Sequence, residues 1–278
     1  MTPITSSRNQ HLKEIRKLRM RRRERQKAGR FVAEGEDLLA AADAAGWEPA
    51  ERYAAAGSGL EGVEVDPKVL EKASGLASGT RTLAVYEERW AAKPTGPICI
   101  YLHGVHDPGN VGTILRSAQA FGAASVAIGP GTADPYSPKA VRASMGAIFA
   151  VPVAHAQDIA ALPGRRIALA AARGEPLNHE AEPAPECTLM IGAERDGLPD
   201  DVVDRADVIA HIPIHTHSLN AAMAATVALY EVTRMPPPSK PSEPSRPSEP
   251  SKPSKPPEPP EPPEPSSQPS QPSEPSEP

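Results

Sequence analysis

The chain has 278 residues, enough for two domains of ordinary size, or one and a half with a tail. Of its 35 prolines, 19 lie between Pro236 and Pro278, so the end of the chain is low-complexity sequence while the first 235 residues have globular composition. The net charge of −5 divides into +9 over Arg8–Arg30, −3 over the tail and −11 over the rest, and no apolar run reaches the roughly 18 residues that span a bilayer.

The first ten residues hold no apolar stretch of signal-peptide type. Cys99 and Cys187 stand far apart in apolar surroundings and read as buried free thiols, which fits a reducing cytoplasm. No Cys/His spacing resembles a zinc site. The expectation is a soluble cytoplasmic protein with one strongly basic segment.

Ser6 and Ser7 are candidate helix N-caps, and Leu12, Ile15 and Leu18 then recur at helical spacing with basic residues between them. The basic run Arg19–Arg30 leads into a short strand, Phe31-Val-Ala-Glu-Gly. Glu36–Ala45 reads as an Ala/Leu helix ended by Gly46. Further short signals continue to Tyr86, and Lys93–Pro97 reads as a linker, so residues 1–93 form a small first domain. From Ile98 the pattern alternates. Strands are expected over Ile98–Val105, Ser125–Gly129, Arg166–Ala172, Thr188–Ala193 and Val208–Ile214. Helices are expected over Val111–Phe121, Pro138–Ala147 and Ser218–Arg234. This predicts a mainly parallel α/β sheet covered on both faces, over residues 98–235. The tail, 236–278, repeats Ser-X-Pro. A proline every third residue matches polyproline II, and nothing there can bury a core. A solvated, disordered extension is expected, with Pro-rich docking as the alternative.

Parallel sheets place ligands beyond the carboxyl ends of their strands, which singles out three loops. The first is His103-Gly-Val-His-Asp-Pro-Gly-Asn110-Val-Gly-Thr-Ile-Leu-Arg116. It is neither G-x-G-x-x-G nor G-x-x-x-x-G-K-[ST], so no nucleotide motif is licensed, and a helix cap plus a surface Arg would explain it equally. The second, Ile191-Gly-Ala-Glu194-Arg-Asp-Gly197-Leu-Pro, sets a carboxylate between two glycines, as an ordinary turn also could. The third, Ile212-Pro-Ile-His-Thr-His-Ser218-Leu-Asn220, has small polar residues where a strand feeds a helix, with Ser218 as the expected N-cap.

Taken in order, Asn-x-Gly-x-x-x-Arg, Gly-x-Glu-x-x-Gly and Ile-Pro-x…Ser-Leu-Asn resemble the three motifs of the SpoU (TrmH-type) RNA methyltransferases of the SPOUT superfamily, over roughly residues 98–235. Ser137-Pro-Lys-Ala-Val-Arg142-Ala-Ser144-Met-Gly146 is similar to that family too. Ile4-Thr-Ser-Ser and Phe31-Val-Ala-Glu-Gly resemble, more weakly, the ribosomal-protein-L30-like substrate-binding domain that often precedes it. The resemblance implies a catalytic α/β domain with a deep trefoil knot, a rare exception to unknotted topology. It further implies S-adenosyl-L-methionine bound at the knot, a homodimer, and methylation of a ribose 2′-hydroxyl in rRNA or tRNA. The extra first domain favours rRNA, 23S in particular. Carried over by position, the catalytic set is Asn110, Arg116, Glu194, Ser218 and Asn220, with the cofactor against Gly192, Ile212 and Leu219. The chain departs from the family at His215-Thr-His217, in a shortened loop where Gly is common, and at Ala221-Ala-Met. His215 and His217 lack a third ligand, so no metal is expected.

A ribose 2′-hydroxyl is a poor nucleophile until its proton is lost or its charge is stabilised, whereas a sulfonium methyl arrives activated. The protein's share is positioning and electrostatics. Arg116 suits the developing alkoxide and the adjacent phosphate. A guanidinium resists deprotonation, so Arg116 is read as lowering the hydroxyl's pKa while a phosphate or water takes the proton. Asn110, Glu194, Ser218 and Asn220 would orient Arg116, substrate and loops, and an Arg116–Glu194 ion pair is the alternative use of both. Arg16, Lys17, Arg19, Arg21, Arg22, Arg23 and Arg142 are expected to meet RNA phosphates, making binding salt-dependent. Aromatics are 4% of the chain, too few for a stacking platform. The rival readings are a tRNA methyltransferase, a non-catalytic RNA- or cofactor-binding protein, a base methyltransferase and a Rossmann-type methyltransferase.

Overall fold

The computed structural model describes residues 2–75, 79–170, 173–177, 186–215 and 218–234. The Pro-rich tail and His217 lie outside the described residues. The first helix, α1 (Gln10–Met20), starts at Asn9, whose Oδ1 accepts the His11 N–H at 2.9 Å. Asn9, and neither Ser6 nor Ser7, is therefore the N-cap. Leu12, Ile15 and Leu18 are buried, as their spacing predicts. Extended backbone at Arg21 ends α1, and α2 (Arg22–Ala28) follows, closed by Gly29 in the left-handed region at φ 61°. Next come β1 (Arg30–Glu34), α3 (Glu36–Ala44), β2 (Glu51–Ala55), β3 (Val63–Val65), α4 (Pro67–Ala73) and β4 (Thr82–Glu87). The strands form a sheet ordered β1-β4-β2-β3, with β4 antiparallel to both neighbours. Leu12, Ile15 and Leu18 pack with Val32, Tyr53, Leu70 and Leu83.

The second sheet contains β5 (Trp90–Ala91), β6 (Ile98–Leu102), β7 (Ser125–Ile128), β8 (Val153–His155), β9 (Arg165–Leu169), β10 (Glu175–Pro176), β11 (Cys187–Ile191) and β12 (Val208–His211). Among the described residues its order is β10-β12-β9-β11-β6-β7-β8-β5, and every pairing is parallel. The helices around it are α5 (Pro108–Ala120), α6 (Pro138–Ser144), α7 (Ala147–Ala150), α8 (Asp200–Val203) and α9 (Ala221–Thr233). The alternating sequence pattern thus finds its parallel α/β sheet. Strands β5, β8 and β10 are two or three residues long and offer no period to read. Trp90 and Ala91, assigned by sequence to the first domain, pair with β8, so the first sheet ends at Glu87. The expected helix Pro138–Ala147 is two helices, because Met145 (φ 49°) and Gly146 (φ 95°) are left-handed.

From β6 the chain runs outward to β7 and β8, then returns beyond β6 to β9. The strand order therefore reverses between β6 and β11, where a parallel sheet leaves a crevice at its carboxyl edge. One core joins both sheets. Phe31 lies 4.7 Å from Tyr136 and Tyr86 lies 5.2 Å from Phe149, centroid to centroid, and Trp47 Nε1 donates to Phe149 O at 2.9 Å. Cys99 and Cys187 are both buried free thiols, and burial pushes the Cys99 thiol up to about 11. No helix among the described residues is long and apolar enough to cross a membrane.

Helices α5 and α6 cross so closely that a Cβ on Gly112 would lie 2.2 Å from Ala140 O and 2.7 Å from Ala143 Cβ. This accounts for the glycine in Asn-x-Gly-x-x-x-Arg. Gly112→Ala is expected to push the helices apart and cost about 1–3 kcal/mol of stability, seen as a lower urea midpoint. An unshifted midpoint would mean the two helices can separate freely.

Candidate active site

Asp107 caps α5. Its Oδ1 accepts the Gly109 N–H and Lys139 Nζ, both at 2.7 Å, and the bond from Lys139, then that from Gly109, hold the carboxyl below the usual carboxylate range. Lys139 thereby ties the start of α5 to α6, a role its place in the sequence does not announce. At the other end of the same loop, His103 N donates to Ile191 O at 2.9 Å, which pins the loop after β6 to β11.

The second loop is a closed turn. Ala193 and Gly197 exchange backbone hydrogen bonds, both at 3.0 Å. Gly197 has φ 69°. A Cβ on Gly192 would lie 2.1 Å from the Gly197 carbonyl carbon. Both glycines of Gly-x-Glu-x-x-Gly are thus needed to fold the turn that presents Glu194. The third loop ends at Asn220, whose Oδ1 accepts the Ala222 and Met223 N–H groups at 2.9 and 3.3 Å. Asn220, not Ser218, is the N-cap of α9. Both residues are good caps, and the path of the chain selects the one directly before the first helical turn.

The three loops meet through a chain of side-chain amides. Asn220 Nδ2 donates to Asn110 Oδ1 at 3.0 Å, and Asn110 Nδ2 donates to Glu194 Oε1 at 2.7 Å. These bonds span 110 and 84 residues of sequence, so only the sheet topology creates them. Beside them a cleft open to solvent lies at the carboxyl ends of β9, β11 and β12. Gly192, Ile212 and Leu219 all line it, together with Glu194 and Ser218. Its walls are largely apolar, with Leu169, Ala170, Ile191 and Ile214 among the lining residues.

Arg116 stands apart. It is exposed and makes no ion pair with Glu194. Six residues along α5 separate it from Asn110, about 9 Å along the axis and about 120° around it. A single chain therefore brings together Asn110, Glu194 and Asn220, places Ser218 and the three cofactor positions on one cleft, and leaves Arg116 outside.

The basic segment divides in a way its sequence does not show. Lys17, Arg21, Arg22 and Arg23 are exposed. Arg16 instead donates to Leu12 O at 3.1 Å and to Ser7 O. Arg19 pairs with the buried Glu34 and donates to Ala73 O at 2.6 Å, and burial lowers its pKa. Arg142 reaches the same carboxylate at 3.9 Å from α6. On α9, Met223, Val227 and Tyr230 form an exposed stripe at spacings of four and three residues.

Residues 97–230 match the family model described as the SpoU rRNA Methylase family, and residues 9–88 match an MRM3-like substrate binding domain. The chain is 25% identical over 265 residues to the 23S rRNA (guanosine(2553)-2′-O)-methyltransferase RlmP of Bacillus subtilis, covering 84% of this chain and 99% of that protein. It is similar to the crystal structure of an rRNA methyltransferase from Sinorhizobium meliloti, with 30% identity and a TM-score of 0.73 over 84% of this chain and 97% of that one. It is also similar to the SpoU methyltransferase AviRb from Streptomyces viridochromogenes in complex with AdoMet, with 26% identity and a TM-score of 0.74 over 82% and 98% of the two chains.

Proposed function

The chain belongs to the SpoU rRNA methylase family, and we propose that it transfers a methyl group from S-adenosylmethionine to a ribose 2′-hydroxyl of 23S rRNA. The observation that carries this reading is the convergence of Asn110, Glu194 and Asn220 beside the cleft at the switch point. The cleft fits the cofactor in kind. Apolar walls from Ile191, Ile212 and Leu219 suit a purine, and main chain at the strand ends offers hydrogen bonds to its edge. Bound there, S-adenosylmethionine supplies a methyl already activated by the sulfonium charge.

The amide chain fixes the side-chain orientation of Asn110 and leaves the second carboxylate oxygen of Glu194 for the substrate side. Ser218, exposed at the mouth, orients the sugar. Arg116 stabilises the developing alkoxide and the adjacent phosphate, lowering the hydroxyl's pKa, while phosphate or water accepts the proton. The working enzyme is a homodimer. The apolar stripe Met223, Val227 and Tyr230 supports this, since a second copy would cover it. Ser117, the neighbour of Arg116, hydrogen-bonds Thr226 within that same helix pair at 2.6 Å. Arg116, the adjacent residue along α5, would work where two copies meet. Residues 1–93 act as the RNA-binding domain and 98–235 as the knotted catalytic domain, in the cytoplasm.

The test is transfer of labelled methyl from S-adenosylmethionine to unmodified total RNA separated by size. The expected result is label in large rRNA, at linkages that resist alkali. Label in tRNA would overturn the substrate, and label on a base would overturn the chemistry.

A further inference from the structure

At one side of the second sheet two rings lie stacked at the surface. Trp90 stands opposite Val153 in the β5–β8 pairing, so Trp90 and His155 share a face, two residues apart along the strands. Their centroids are 3.7 Å apart and their planes 19° from parallel. Trp90 is fixed: Nε1 donates to Glu88 Oε2 at 2.9 Å, and its ring meets Tyr136 edge-on at 5.2 Å. His155 is exposed, and its imidazole makes no hydrogen bond with any described residue. Burial and nearby Arg22 lower its pKa, with Asp134 opposing them. An exposed, flat ring stacked on a rigidly held indole offers an unpaired nucleobase a surface to stack on.

Two further features point to RNA rather than to a small aromatic ligand. Exposed Arg22 lies within electrostatic reach of the imidazole, so a cation suited to a phosphate stands near the stack. His155 is also the last residue of β8, and because all pairings are parallel it shares the carboxyl edge that holds the cleft. Three strand spacings separate β8 from β11, about 14 Å. An extended RNA strand crosses that distance in a few nucleotides.

We propose that His155, backed by Trp90, is a binding site for one unpaired base of the RNA substrate, a few nucleotides from the methylated ribose. The inference rests on the RNA methyltransferase reading. The low aromatic content still rules out an extended platform; the structure concentrates what there is into one base-sized step.

The test compares His155→Ala and His155→Phe with wild type. Filter binding to unmodified 23S rRNA made by transcription is read beside methyl-transfer kinetics. His155→Ala is expected to weaken RNA binding about ten-fold, within the range for loss of one stacked base, and to raise the KM for RNA equally. His155→Phe, which keeps a ring, should stay within about two-fold of wild type. Values of kcat and of affinity for S-adenosylmethionine should not move. Wild-type RNA affinity in His155→Ala would overturn the proposal, as would equal weakening in His155→Phe or a loss confined to kcat. If the wild-type protein transfers no methyl, the enzyme reading fails, while the binding comparison still decides the stack.

Discussion

Arg116→Ala is expected to lower kcat for methyl transfer by about 10²- to 10³-fold, the usual loss when one preorganised donor to a developing oxyanion is removed. Arg116 is exposed on α5 and has no ion pair with Glu194, so its removal leaves no buried charge behind. Thermal stability and affinity for S-adenosylmethionine should match wild type, since the cleft is lined by Gly192, Ile212 and Leu219 and not by Arg116. Arg116→Lys keeps the charge but not the planar fork, and should recover only part of the rate. A kcat for Arg116→Ala within a few-fold of wild type would remove Arg116 from the mechanism. A lowered melting temperature would instead make it a structural residue.

The second large effect is on stability. Arg25 is 4% exposed, and its Nε and Nη2 donate to Asp134 Oδ2 at 2.9 and 2.7 Å, while Nη1 donates to Leu18 O at 2.7 Å. Asp134 Oδ1 in turn accepts the Tyr136 N–H at 2.8 Å. This one guanidinium joins α1, α2 and the segment that leads into α6. Arg25→Ala would leave the Asp134 carboxylate buried without its cation, at about 3–5 kcal/mol. For a chain of this size the melting temperature should fall by about 10 °C. The paired change Arg25→Met with Asp134→Leu, which removes both charges, should recover most of that loss. Arg22→Ala and Arg23→Ala in the same run should leave the melting temperature alone, and each should reduce the salt dependence of RNA binding. A melting temperature for Arg25→Ala within a degree or two of wild type would show that water reaches Asp134.

These contrasts mark where sequence reading stops. Leu12, Ile15 and Leu18 repeat at helical spacing and are buried because period alone selects a face. Arg25 sits among Arg21, Arg22 and Arg23 in one short basic run, and nothing in that run separates the buried residue from the exposed ones. The difference arises because α2 is packed with Arg25 toward Asp134, 109 residues away. The caps carry the same lesson. Ser6, Ser7, Asn9, Ser218 and Asn220 all have side chains that can accept the first free N–H groups of a helix, and the choice of Asn9 and Asn220 follows from where the backbone turns. The His155–Trp90 stack joins two strands too short to show any alternation.

The sequence by itself determined the strand–helix alternation, hence a parallel α/β sheet, and the three loops at its carboxyl edge, because hydrophobic period and Gly-rich turn chemistry are local properties. It also determined the residue types those loops present, and with them the resemblance to RNA ribose methyltransferases. Only the tertiary structure decided that Asn110, Glu194 and Asn220 form one hydrogen-bonded chain, that Arg116 stands outside it, and that both sheets share a core. These relations depend on which strands lie side by side, and that follows from the burial of the whole chain rather than from any single stretch of it.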